Sequence, residues 1–224
     1  YRHESGAGMK IAAVSIDSSD GNTSDAVYGF VRACRGYKNI NVMAVKGSSN
    51  PDKEIFSRAR AIDLKHKNTK ADKFGVQVYS VGVSRAKDLL IDEHARINLE
   101  GSGAGRMHFY SGVRADYCSQ LLSEIKVPSR MNKHKKVWQK KVGVRNEALD
   151  CEVYALHAAR SLGTHTMSAA RWALYESALL QSELFAEPKP ETDQVVRSEA
   201  GHENSSGYSA VNRRKRGGNF ATNF

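Results

Sequence analysis

Residues 9–17 read Met-Lys-Ile-Ala-Ala-Val-Ser-Ile-Asp, a nearly continuous apolar run with β-branched Ile11, Val14 and Ile16 that ends on a carboxylate, Asp17. That pattern predicts a buried strand. A polar stretch, Ser18-Ser-Asp-Gly-Asn22, follows. Thr23 or Ser24 is then placed to cap a helix with Asp25 in its first turn and Ala26, Val27, Phe30 and Val31 on one face. Residues 40–46, Ile-Asn-Val-Met-Ala-Val-Lys, read as a second strand. Strand, helix, strand is a βαβ unit, which points to an α/β sheet.

Open α/β sheets bind ligands outside the carboxyl ends of their strands, so Asp17 stands where a site is expected. Capping its own turn is the competing role. Asp20, in the loop beyond, reads as a turn former. A second acid, Asp150, lies in Arg145-Asn-Glu-Ala-Leu-Asp150 near the start of a helical pattern over 146–162, with Leu149, Val153, Leu156, Ala158 and Ala159 apolar and Gly163 as its stop. Asn146, Glu147 and Asp150 share a helix face. Two carboxylates from separate elements suit Mg²⁺ or Mn²⁺, which favours oxygen ligands and retains waters. The alternative for Asp150 is a solvated acid that complements the helix dipole. Glu147 is a further candidate ligand, with Arg145 or Lys87 as an ion-pair partner instead. His157 reads as a packed or surface histidine rather than a ligand.

Lys+Arg is 34 and Asp+Glu 24, a formal charge of +10, which suits a polyanionic partner as well as plain solubility. The densest basic region holds Arg130, Lys133, His134, Lys135, Lys136, Lys140 and Lys141 with Trp138 among them. Phosphate contact is its physical reading, against a hairpin of solvated lysines. It carries no recognition-helix or zinc-finger signature, so the phosphate contact is expected to be sequence-nonspecific. Lys46, after a strand, and Lys87, opening a helix, each either hold a phosphate or are solvated. Three scattered cysteines, Cys34, Cys118 and Cys151, argue against a disulfide framework or a Cys-type zinc site and suit a reducing interior. No signal peptide and no long uncharged apolar run is present, so no membrane partner is expected.

Elsewhere, 48–73 reads as an exposed lysine-rich excursion, 75–82 as a strand and 84–97 as a helix. Residues 101–105 form a glycine-rich turn that neither follows a strand nor opens a helix, so phosphate cradling is not expected there. Residues 107–110 read as a short strand, 117–123 as a short helix, 134–142 as a strand and 166–185 as a helix with Trp172, Leu179 and Leu180. Residues 187–224, rich in Pro, acids, Gly and Ser before Arg213-Arg-Lys-Arg216, read as a flexible tail.

In order along the chain, Ala13-Val-Ser-Ile-Asp17-Ser18, Ala26-Val-Tyr-Gly-Phe30, Ala44-Val-Lys46-Gly47, Val81-Gly-Val83 with Ala86-Lys87-Asp88, Met107-His-Phe109, Gln120-Leu-Leu-Ser-Glu124 and Arg145-Asn-Glu-Ala-Leu-Asp150-Cys-Glu-Val-Tyr154-Ala resemble the nuclease domain of lambda-type phage terminase large subunits. The resemblance implies an RNase H-like mixed sheet flanked by helices, with a nuclease domain over 1–165, a helical appendage over 166–186 and a flexible basic tail over 187–224. It implies a metal-dependent endonuclease that cuts concatemeric viral DNA during packaging, in the host cell cytoplasm, using Mg²⁺ or Mn²⁺. The family uses three acidic positions; Asp17 matches the second and Asp150 the last, and the first is expected on a strand preceding residue 9. Lys87 is the expected catalytic lysine, and Glu124 matches without an assigned chemistry, an ion-pair partner being its plainest role. No Gly-x-x-x-x-Gly-Lys-Ser/Thr ATPase signature occurs in these residues. The terminase small subunit and the portal protein are implied partners, the latter through the tail with Phe220 and Phe224 as anchors. A catalytically incomplete DNA-gripping and portal-docking module, and a Holliday-junction resolvase of the same fold, are the alternatives.

Overall fold

A computed structural model describes residues 2, 5–59, 75–92, 94–101 and 105–184. Its elements are β1 (Ala13–Asp17), α1 (Ser24–Ala33), β2 (Asn41–Gly47), β3 (Val78–Val81), α2 (Val83–Ile91), α3 (Ala115–Leu121), β4 (Glu124–Pro128), β5 (Lys136–Lys140), α4 (Glu147–Ser161) and α5 (Ala169–Leu184). Residues 60–73 of the expected excursion, 102–104 of the glycine-rich turn and the expected tail with Arg213, Arg214, Lys215, Arg216, Phe220 and Phe224 lie outside the described residues.

The βαβ expectation holds. β1, β2 and β3 form a parallel three-stranded sheet in that order, with Asp17 opposite Val45 and Gly47 opposite Val81. Period-two alternation gives each face its own core. On one face Met43, Val45 and Val81 pack with Ala86 and Leu90 of α2, Leu121 of α3, and Leu149, Val153 and Ala158 of α4. On the other, Ala44 and Val76 meet Tyr28 and Val31 of α1. Leu149 is fully buried, so Leu149→Ala would cost about 2–5 kcal/mol and loosen α4 from the sheet. β1 is half-buried rather than buried, because among the described residues it has a strand partner on one side only.

Two glycines fix the frame around the sheet. A Cβ at Gly82 would lie 2.0 Å from the Lys53 carbonyl oxygen, so only glycine lets the 48–59 loop pass over the end of β3. Gly163 follows α4 at φ +72°, the left-handed stop expected for it.

β4 and β5 pair as an antiparallel hairpin, Glu124 opposite Lys140 and Pro128 opposite Lys136. β5 matches the strand expected around 134–142, whereas β4 has no counterpart in the sequence reading. Residues 107–110, expected as a strand, are irregular: the Met107 amide reaches the Arg96 carbonyl rather than a strand partner. α5 is exposed along most of its length, Trp172, Leu174 and Tyr175 included. The three cysteines are free, as expected. No helix among the described residues is long and apolar enough to cross a membrane.

Candidate functional site

α4 carries Asn146, Asp150 and Tyr154 at four-residue spacing, so their side chains form one stripe along the helix. α4 packs on β1, whose inward face presents Ser15 and Asp17. A hydrogen bond of 2.8 Å between Ser15 Oγ and His157 Nδ1 pins the strand to the helix. Two residues beyond Ser15 on the same strand face, Asp17 meets Tyr154, which hydrogen-bonds to it. The two expected acids thus converge from elements more than a hundred residues apart in the chain.

The electrostatics register this convergence. Burial raises the Asp150 carboxyl above the usual carboxylate range; Lys87 opposes the shift, Glu124 and Asp17 reinforce it, and Lys140 opposes it. Burial likewise pushes the Tyr154 hydroxyl up, helped by the charges of Asp17 and Asp150. Tyr154 therefore remains a protonated donor at neutral pH. Asp17 itself is exposed, and its Oδ1 accepts from the Ser19 amide at 2.9 Å and the Ser19 hydroxyl at 2.7 Å. It does cap its own turn, and it does so while facing Tyr154.

Next to Asp150 lies a buried ion pair. Lys87 Nζ donates to Glu124 Oε2 at 2.7 Å, with side chains 8% and 7% exposed. Asn146 Nδ2 donates to Asp150 Oδ2 at 2.9 Å and reaches Glu124 Oε1 at 3.4 Å, while its Oδ1 accepts from Lys140 Nζ at 2.8 Å. Glu124, which the sequence reading left without chemistry, and Asn146 and Tyr154, which it did not single out, thereby join the site. Their signal was available: all three fall within the quoted matching stretches.

Other candidates lie elsewhere. Glu147 is exposed and paired with Arg145 at 3.2 Å, one of the two partners expected for it; Lys87, the other, pairs with Glu124. His157 is packed, as expected: it is fully buried against Phe56 and Tyr79, with ring centroids 5.2 and 6.0 Å away. Burial lowers its pKa to about 4, and its Nε2 has no hydrogen-bond partner among the described residues. Lys46 is exposed one residue beyond Val45, so it projects from the sheet face opposite Asp17.

The expected DNA-binding residues divide by location. Arg130, Lys133 and Lys135 stand exposed around the β4–β5 turn, with Met131 99% exposed between them. Lys136 lines a shallow cleft with Asp88, Asp92, His94 and Lys126. Lys141 donates to the Leu122 carbonyl at 2.8 Å, and Lys140 is engaged by Asn146. Trp138 donates to Asp88 at 2.8 Å beneath Lys126, which also binds Asp88 and Asp92 at 2.8 and 3.0 Å. The indole thus clamps the hairpin to α2.

The family model for the terminase large subunit gpA, endonuclease domain, matches residues 1–172. The terminase large subunit of Escherichia phage lambda is 31% identical over 190 residues, which is 81% of this chain and 26% of the phage protein. The chain thus spans about a quarter, 26%, of the length of that curated relative. No solved structure matches it. With the α/β sheet, the matching segments of α4 and β1, and a family model covering residues 1–172, this chain belongs to the endonuclease-domain family of terminase large subunits.

Proposed function

We propose that this domain is a metal-dependent endonuclease with an RNase H-like sheet that cuts concatemeric double-stranded viral DNA for packaging. The observation that carries the proposal is the meeting of Asp17 and Asp150 beside Lys87, in a chain of the terminase endonuclease family. The phage relative, a terminase large subunit, supports a packaging complex as the setting, in the host cell cytoplasm. The small subunit and the portal protein are the proposed partners there.

The donor set fits a hard divalent cation. Asp150 is raised by burial and by two like-charged neighbours, a repulsion that a cation relieves. Among the described residues no group of three or more His, Cys, Asp or Glu side chains is gathered to hold a metal. Asp17 and Asp150 therefore supply a pair of carboxylates. Mg²⁺ binds through one or two carboxylates plus waters and substrate phosphates, so a pair suffices. Mg²⁺ or Mn²⁺ held there supplies a water of lowered pKa and neutralises phosphate charge. The chain's own residues do the rest. Tyr154 orients Asp17, Asn146 orients Asp150, and Lys87 places a cation beside the scissile phosphate while keeping Glu124 neutralised. Arg130, Lys133 and Lys135 hold the duplex backbone without reading sequence.

That no third ligand is gathered among the described residues favours one second reading, a DNA-gripping module without cleavage. Incubating the purified chain with supercoiled plasmid and Mn²⁺, with and without chelator, separates the two. Nicking that needs Mn²⁺ and vanishes in Asp17→Asn and Asp150→Asn supports the enzyme. Plasmid binding without nicking in any metal supports the module. Preference for four-way junctions over linear duplex would instead favour a resolvase.

A further inference from the structure

We infer that Asn146 is a positioning residue of this site, not a helix cap. It occupies the N-cap position of α4, where an asparagine side chain ordinarily accepts a hydrogen bond from the helix's first free amides. Here the side chain makes no such bond. The role has passed to another element: Gln120 of α3, itself buried, accepts from the Ala148 amide through Oε1 at 3.2 Å. Asp116 holds Gln120 in turn, accepting from its Nε2 at 3.1 Å.

The freed amide of Asn146 is spent on charged groups. Its Nδ2 donates to two carboxylates, Asp150 at 2.9 Å and Glu124 at 3.4 Å, whose oxygens accept. Its Oδ1 faces the Lys140 ammonium at 2.8 Å, which only donates. This polarity admits one orientation of the amide, so three ionic partners fix the rotamer. One side chain therefore ties the proposed cation ligand Asp150 to the Lys87–Glu124 pair on one side and to the basic hairpin, through Lys140, on the other. Removing Asn146 frees the Asp150 carboxylate to rotate and takes away the amide that both carboxylates share.

The inference rests on the cation reading of Asp150 proposed above, and its test separates the two. Mn²⁺ binding to the full chain is measured by titration calorimetry, with thermal melting alongside, for the unaltered protein, Asn146→Ser and Asp150→Asn. Serine caps a helix as well as asparagine but is too short to bridge the two carboxylates. Loss of a group that orients a ligand typically weakens metal binding about 10- to 100-fold. Asn146→Ser is thus expected to weaken Mn²⁺ binding by at least about tenfold while its melting temperature stays near that of the unaltered chain. Unchanged Mn²⁺ affinity in Asn146→Ser, with affinity lost in Asp150→Asn, overturns the positioning role and leaves the cation reading standing. A large fall in melting temperature for Asn146→Ser makes the side chain structural and also overturns it. Equal Mn²⁺ binding by the unaltered chain and Asp150→Asn defeats the cation reading, and the inference falls with it.

Discussion

Acidifying this protein should weaken its fold through a single histidine. His157 is fully buried between Phe56 and Tyr79, and burial lowers its pKa from the ordinary 6.5 to about 4. In the unfolded chain the same ring titrates near its ordinary value. Between these two pH values the unfolded state binds a proton that the folded state refuses. Stability therefore rises with pH across the window, is complete above about pH 6.5, and is lost as the pH falls towards 4. The gap corresponds to about 3 kcal/mol, a large share of the stability of a domain this size. Urea denaturation of the unaltered chain and of His157→Leu, at steps from pH 7 to pH 4, isolates the effect. The variant loses the hydrogen bond to Ser15 at every pH, which shifts its stability by a constant. The difference between the two proteins should shrink towards acid at about 1.4 kcal/mol per pH unit within the window. Parallel stability curves would show that His157 titrates alike in both states, and the account of a buried neutral imidazole would fail.

Two further perturbations test other parts of the molecule. Lys87→Met or Glu124→Gln leaves one buried partner of the ion pair uncompensated and should cost about 3–5 kcal/mol in urea denaturation, whereas Lys87→Met combined with Glu124→Leu should recover most of that loss; equal effects of the single and double changes would refute a buried pair. Replacing Arg130, Lys133 and Lys135 together by Ala should weaken duplex binding and lower the slope of log affinity against log salt by about 2–3; an unchanged slope would remove the hairpin turn from the interface.

Most of the sheet was legible because apolar continuity and β-branching announce β1 and β2 wherever they occur, and the amphipathic α1 between them implies the parallel crossover, although Thr23 at its N-cap makes no side-chain capping bond. α4 was legible from its apolar spacing and from Gly163. β4 was not, because Glu-Ile-Lys-Val-Pro is short, charged at two of its five residues and ends in proline; only pairing with β5 makes it a strand. Irregular chain at 107–110 reflects the converse: local residues suited to a strand find no strand partner among the described residues. The site itself was half legible. Asp17 and Asp150 stood out by position and by family resemblance, but their meeting depends on how α4 lies across β1, a long-range packing outcome absent from local pattern. The face of Lys46 depends on the register that sets Asp17 opposite Val45, which no local signal fixes. Asn146 was hidden for a different reason: the sequence places it on the helix face with Asp150, but its bonds to Glu124 and Lys140, and the capping of α4 by Gln120, come from distant elements.

The hairpin and the acids behave as one piece, and that has a geometric consequence for the proposed cleavage. Trp138 and Lys126 clamp β5 and β4 to Asp88 and Asp92 at the end of α2, while the same helix supplies Lys87 to the site. At the base of the hairpin, Glu124 and Lys140 face each other and both reach Asn146. At its other end, Pro128 and Lys136 lead into the turn that carries Arg130, Lys133 and Lys135. Four residue steps of strand separate the two ends, about 13 Å. Duplex DNA repeats its phosphates about every 3.4 Å along each strand, so the paired strands of the hairpin alone match about four phosphate steps between the turn and the end that meets Asn146. Because ion pairs and an indole hydrogen bond hold the hairpin to α2 in a partly buried setting, this spacing is built into the fold rather than chosen by the DNA. Under the proposed function, a sequence-nonspecific grip at this turn would set how the backbone is presented to Asp17 and Asp150, and any choice of where to cut would enter through whatever places the duplex on the hairpin.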